Sequence, residues 1–155
     1  MRIERILEEK GVVIPELPPL AGTYKRITHV GTLVFVSGQG PIVDGHVAVE
    51  GRLGETVTIE EGQHAARLCV LNALSVLKSH LGDLDRIKQF VKILGFVSSA
   101  QGFTEQPRVI DGASLLLEEL FGEEGIAARS AIGTHQLPGD IPVEIEFIVE
   151  IFGND

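Results

Sequence analysis

Most of the residue types that ordinarily carry chemistry stand alone in this chain. The five histidines, His29, His46, His64, His80 and His135, show neither the spacing of helical metal ligands nor an HExxH motif, so no metal site is expected. Cys69, the one cysteine, lies in an apolar stretch with no base at a telling position, and there is no Gly-x-Ser-x-Gly elbow, so triad chemistry has no support. Gly38-Gln39-Gly40 lacks the third glycine and the following helix of a dinucleotide fingerprint. Two segments survive this elimination. In Val36-Ser37-Gly38-Gln39-Gly40-Pro41 an apolar run enters a Gly- and Pro-rich turn, which is either a plain turn or a place where backbone groups approach a ligand. The other is Ala128-Arg129-Ser130-Ala131, followed by Leu137-Pro138-Gly139 and Pro142-Val143-Glu144-Ile145-Glu146.

Composition narrows what such residues can serve. At 155 residues, with 44% hydrophobic and 23% charged side chains, the chain has the size and core content of one globular domain. The net charge is -9 and the 13 lysines and arginines are scattered without a run, which disfavours phosphate backbones as partners. Tryptophan is absent and aromatics are only 5%, a poor platform for stacking single-stranded bases. A single cysteine excludes an intrachain disulfide. Apolar runs such as residues 33–36 and 147–149 fall far short of the ~18 residues of a membrane span. Charges interrupt residues 1–10, unlike the apolar core of a secretory signal, and a cytoplasmic location is expected.

The elements that must hold these segments can be read from periodicity. Ile3, Ile6 and Leu7 make a short amphipathic helix ended by Gly11, and Pro15, Pro18 and Pro19 keep the following connection extended. Residues 1–20 therefore read as an extension and 21–155 as the main domain. Residues 33–36 are apolar on both strand faces, and Asp44-Gly45 is a two-residue hairpin turn between 42–43 and 46–49. Thr58 and Glu61 form a capping box for a helix with Ala66, Cys69, Ala73, Leu74, Leu77 and Leu81 on its inner side, stopped by Gly82. Residues 90–97 return to strand, with Val91, Ile93 and Val97 on one face and Phe90, Leu94 and Phe96 on the other. A second helix is predicted over 107–121, stopped by Gly122. In 143–151 every odd position is apolar, while the even ones are Glu144, Glu146, Ile148 and Glu150. Two helices cover only one face of a sheet, so the second apolar face is expected to be buried against other subunits.

Ser37-Gly38-Gln39 after a strand, Ala128-Arg129-Ser130 opening a later one, Leu137-Pro138 in the next turn and Val143-Glu144-Ile145-Glu146 in the last strand resemble, in order and spacing, the Rid family, also called YjgF or endoribonuclease L-PSP. The resemblance spans residues 22–152. It implies an α+β, chorismate-mutase-like fold: a mixed sheet with two helices on one face, and a trimer whose sheets enclose a barrel-like core. It implies intersubunit clefts that hold a small carboxylate-bearing molecule. Arg129 would grip the carboxylate bidentately, Glu144 would orient the hydrolytic water, and Tyr24, Ser37, Gly38 and Gln39 would line the cleft. No cofactor is implied. Hydrolytic deamination of 2-aminoacrylate-like enamines and imines is the first function expected, and a non-catalytic trimer that binds or senses a small carboxylate is the second. The chain departs from the deaminase pattern where an asparagine on the second helix would fall near Gly112, and at Ala131, where a cysteine is common. Endoribonuclease activity, the older family label, is disfavoured by the acidic charge and the lack of a basic groove.

Overall fold

A computed structural model of the chain describes residues 1–17 and 19–153, so Pro18 of the extended connection lies outside the described residues. Helix α1 (Arg2–Glu9) leads to β1 (Ile27–Val30) and β2 (Leu33–Gln39), then to the short hairpin β3 (Ile42–Val43) and β4 (His46–Val47). Helix α2 (Ile59–Leu81), β5 (Ile87–Ser98), α3 (Gln106–Phe121), β6 (Ala128–Thr134) and β7 (Val143–Ile151) complete the chain. The main sheet runs β1-β2-β7-β5-β6. Only β5 and β6 are parallel, joined through α3, so the sheet is mixed. The Asp44-Gly45 hairpin forms as read, with φ 50° and 76° at the two turn residues, but it pairs only with itself and stands outside the main sheet.

The capping box on α2 is complete: Thr58 N–H donates to Glu61 Oε2 at 2.8 Å, and Glu61 N–H to Thr58 Oγ1 at 3.1 Å. Gly82 closes the helix at φ 80°. Helices α2 and α3 cover the face carrying Val34, Val36, Ile93, Val97, Val143, Ile145, Phe147 and Val149, all at most 3% exposed. Their mutual approach depends on Gly112, where a Cβ would stand 2.3 Å from the Gln63 carbonyl oxygen. That neighbour is backbone and cannot swing aside. Gly112→Ala is therefore expected to destabilise by about 1–3 kcal/mol despite the better helix propensity of alanine. A lower urea midpoint at unchanged slope checks this.

One strand phase differs from expectation. A register shift between Phe90 and Lys92 turns Phe90 into the core beside Ile93, where its ring meets Phe121 at 5.1 Å and Phe147 at 6.2 Å between centroids. Leu94 and Phe96 remain on the opposite face, together with Ile148 and the more exposed Val30, Leu33, Phe35 and Ile132. Among the described residues, no helix is long and apolar enough to cross a membrane.

Helix α1 is anchored more firmly than its charges suggest. Ile3 and Leu7 are 0% and 4% exposed and join the same buried cluster as the sheet. Asp85 serves as its N-terminal acceptor: Oδ1 takes Ile3 N–H at 2.8 Å, Oδ2 takes Arg2 N–H, and the Met1 ammonium lies 3.0 Å from Oδ2. Desolvation alone would raise the Asp85 pKa, but the two backbone donors and the ammonium outweigh it and bring it from 3.8 to about 2. A depressed carboxylate pKa stabilises fully above the unfolded value, and the benefit disappears as pH falls through the folded one. Hydrogen-exchange protection of α1 should therefore weaken between pH 4 and 2 in wild type and show no such step in Asp85→Asn.

Candidate functional site

The end of β2 is shaped by another register shift, between Val36 and Gln39. Ser37 Oγ donates to the Lys25 carbonyl at 2.6 Å, and Gln39 Nε2 donates to the Ser37 carbonyl at 2.9 Å. Both side chains are thus occupied in holding local backbone. Gly38 is left facing Glu144 so closely that a Cβ would lie 2.7 Å from Glu144 Oε2. Here glycine supplies space. Beside it opens a concavity of about 430 Å³ lined by Tyr24, Arg26, Gly38, Gln39 and Ile42, with Leu20 from the connection at its rim. Tyr24 is 51% exposed. A second concavity of about 410 Å³ lies on the open sheet face among Phe35, Ser37, Lys92, Leu94, Glu146 and Ile148.

The three glutamates on the open face of β7 have different surroundings. Glu150 is paired with Lys88 at 3.0 Å and also accepts from Gln89. Glu146 is exposed in the second concavity. Glu144 is half-buried, and its pKa is raised, first by desolvation and then by the charge of Glu146. These surroundings favour the protonated form of Glu144.

Arg129 stands elsewhere. On edge strand β6 it is in register with buried Ile93, and Ile93 with buried Phe147, which assigns Arg129 to the helix face. Glu144 is in register with Phe96 on the open face. The two residues therefore lie on opposite faces of one sheet, two strand spacings apart (about 10 Å) across it and three residues (about another 10 Å) apart along it. Within one chain Tyr24, Gly38 and Gln39 line one concavity and Glu144 lies against Gly38, whereas Arg129 is on the other face of the sheet.

The surroundings of Arg129 contain partners that sequence spacing did not disclose. Nη1 donates to Asp111 Oδ1 at 2.7 Å and to Ser114 Oγ at 3.1 Å, both on α3. Position 112, the expected place of an asparagine, is closed to any side chain by the backbone of α2. The polar group that α3 offers to this arginine is a carboxylate one residue earlier. On the other side of β6, Lys92 Nζ donates to Ser130 Oγ at 3.3 Å.

Other isolated groups are resolved by the fold. Cys69 is fully buried with Sγ 3.6 Å from the Val143 carbonyl, and desolvation pushes its thiol pKa well up, as for an inert core residue. His29 and His80 meet across β1 and α2 with ring nitrogens 3.4 Å apart. Among the described residues, no group of three or more His, Cys, Asp or Glu side chains is arranged to hold a metal ion.

The sequence model of the YjgF/chorismate-mutase-like proteins, described as candidate endoribonucleases, matches residues 4–153. The chain belongs to the YjgF/chorismate-mutase-like family. Protein TCP17 of Trypanosoma cruzi, a family relative in sequence, is 42% identical over 151 residues, covering 97% of this chain and 94% of TCP17. The crystal structure of Atu1372, a protein of unknown function from Agrobacterium tumefaciens, is 43% identical and superposes with a TM-score of 0.89 over 97% of this chain and 92% of that one. A candidate endoribonuclease from Shewanella oneidensis, 34% identical, reaches a TM-score of 0.93 over 97% of this chain and all of its own. These matches run almost the full length of the chain.

Proposed function

We propose that the chain assembles as a homotrimer and hydrolyses small enamine or imine carboxylates of the 2-aminoacrylate type in clefts between subunits. The observation that carries this reading is the division of the chemistry: the carboxylate with a raised pKa, Glu144, and the guanidinium of Arg129 occupy opposite faces of one sheet. A site using both needs two chains. The exposed apolar side chains Val30, Leu33, Phe35 and Ile132 on the open face support burial against further copies.

In this reading the substrate carboxylate lies on Arg129 of one subunit and the reacting carbon faces Glu144 of the next. The enamine takes a proton at its terminal carbon to become the imine. Glu144 accepts a proton from the attacking water as oxygen bonds to C2 and the C=N electrons move onto a nitrogen protonated from solvent. Glu144 then gives its proton to that nitrogen, and the C–N bond breaks as the hydroxyl proton passes to solvent and the carbonyl forms. The products are ammonia and a 2-oxo acid. Tyr24 and the backbone around Gly38 would form the wall of the cleft.

A second reading is favoured by the Asp111–Arg129 pair: a guanidinium already matched with a carboxylate also suits a trimer that binds a small acid without turning it over. Enzymatically generated 2-aminoacrylate separates the two, since accelerated release of ammonia and pyruvate is expected only of the enzyme. Light scattering tests the assembly both readings share. At micromolar concentration it should report about three times 16.7 kDa, and a monomer would remove the intersubunit cleft.

A further inference from the structure

The immediate partner of Arg129 bears on what the cleft can select. Asp111 holds Nη1 through Oδ1 at 2.7 Å, and Ser114, one turn later on α3, takes the same nitrogen at 3.1 Å. Both ends of the pair remain accessible, with side-chain exposures of 25% for Arg129 and 46% for Asp111. Arg108, the cation one turn before Asp111, is engaged with Glu105 at 2.7 Å. The position of Asp111 is fixed rigidly, because the next residue, Gly112, packs directly on the backbone of α2.

The pair as it stands is neutral. A simple carboxylate arriving at the remaining donors of the guanidinium would place a second anion beside Asp111, and the cluster would carry an unbalanced negative charge in a partly desolvated place. A ligand bearing its own cation next to its carboxylate avoids that repulsion, because its nitrogen can donate to the accessible side of the Asp111 carboxylate while its carboxylate takes the guanidinium. We propose that Arg129 and Asp111 together form a recognition site for zwitterions, binding α-amino acids or α-iminium acids with the carboxylate on Arg129 and the cationic nitrogen on Asp111. This rests on the reading of Arg129 as the carboxylate group of the cleft, and it names the substrate class: the cleft recognises the nitrogen that would be lost as well as the acid. It makes Asp111 a specificity-determining residue.

L-alanine and propionate differ only by the ammonium group and are suitable probes for titration calorimetry or ligand-detected NMR on the full chain at pH 7. L-alanine should bind about ten- to a hundredfold more tightly. Asp111→Asn keeps an amide oxygen for Nη1 and removes the charge, so an orienting role survives it and a charge-reading role does not. The variant should weaken L-alanine, tighten propionate and bring their affinities close together, with light scattering and circular dichroism unchanged. An unchanged L-alanine to propionate ratio in Asp111→Asn would overturn the proposal and leave Asp111 as a support for Arg129. Propionate bound equally well by wild type and Arg129→Ala, or no binding of either probe, would instead overturn the carboxylate reading of Arg129, and the zwitterion site with it.

Discussion

Arg129→Ala is expected to reduce affinity for small α-carboxylates, or kcat/KM for an imine substrate, by roughly two to four powers of ten. The guanidinium offers a fork of donors of which one nitrogen is committed to Asp111 and Ser114. A ligand carboxylate on the rest of the fork makes charge-assisted bonds, and their loss leaves two carboxylates, the ligand's and that of Asp111, without a cation. A cost on the order of 3–5 kcal/mol follows. Lysine at 129 should recover only part of it, because a point charge cannot satisfy Asp111 and a planar ligand together. The fold should survive both changes, since Arg129 and Asp111 lie at an accessible sheet edge, apart from the buried cluster. Calorimetric titration of folded variants checks the prediction, and unchanged affinity in Arg129→Ala would remove the clamp.

Glu144→Gln should abolish turnover, with a loss of about two to four powers of ten, while small-acid binding persists. Its effect on stability has the opposite sign and depends on pH. Desolvation, with the charge of Glu146, raises the folded-state pKa of Glu144 above its unfolded value, so the folded chain holds that proton more tightly than the unfolded one. Stability consequently falls as pH rises from the unfolded value through the folded one, and above that window wild type carries a penalty that glutamine lacks. Urea midpoints of wild type and Glu144→Gln should coincide below pH 4 and diverge toward neutrality, with the variant more stable. Gly38→Ala is the geometric companion. Its new methyl would lie 2.7 Å from Oε2 and displace the carboxylate, a flexible group, so turnover should drop with little loss of stability.

How far these residues could be read from the sequence depended on whether their role is local. The α2 capping box, the Asp44-Gly45 turn and the alternation along β7 are short-range patterns, and all three form as written. Phe90 misled because a register shift between strands is set by partner geometry, and its apolar identity suits either face. Glu144, Glu146 and Glu150 share one alternation, and only the neighbours brought by β2 and β5 distinguish a desolvated carboxylate from a paired one. Asp111 carries no sequence signal because its partner lies 18 residues away across a helix–strand crossover, a separation with no period. The close approach of α2 at Gly112 likewise comes from tertiary packing.

The proposed active site is assembled from two chains, Arg129 of one and Glu144 of its neighbour. Refolding an equal mixture of Arg129→Ala and Glu144→Gln chains tests it most directly, with ammonia release from 2-aminoacrylate as the readout. Each variant alone should be inert. In randomly mixed trimers about a quarter of the clefts receive an intact arginine from one chain and an intact glutamate from the next, so about a quarter of wild-type activity should return. Mixed trimers no more active than the separate variants would contradict a shared site.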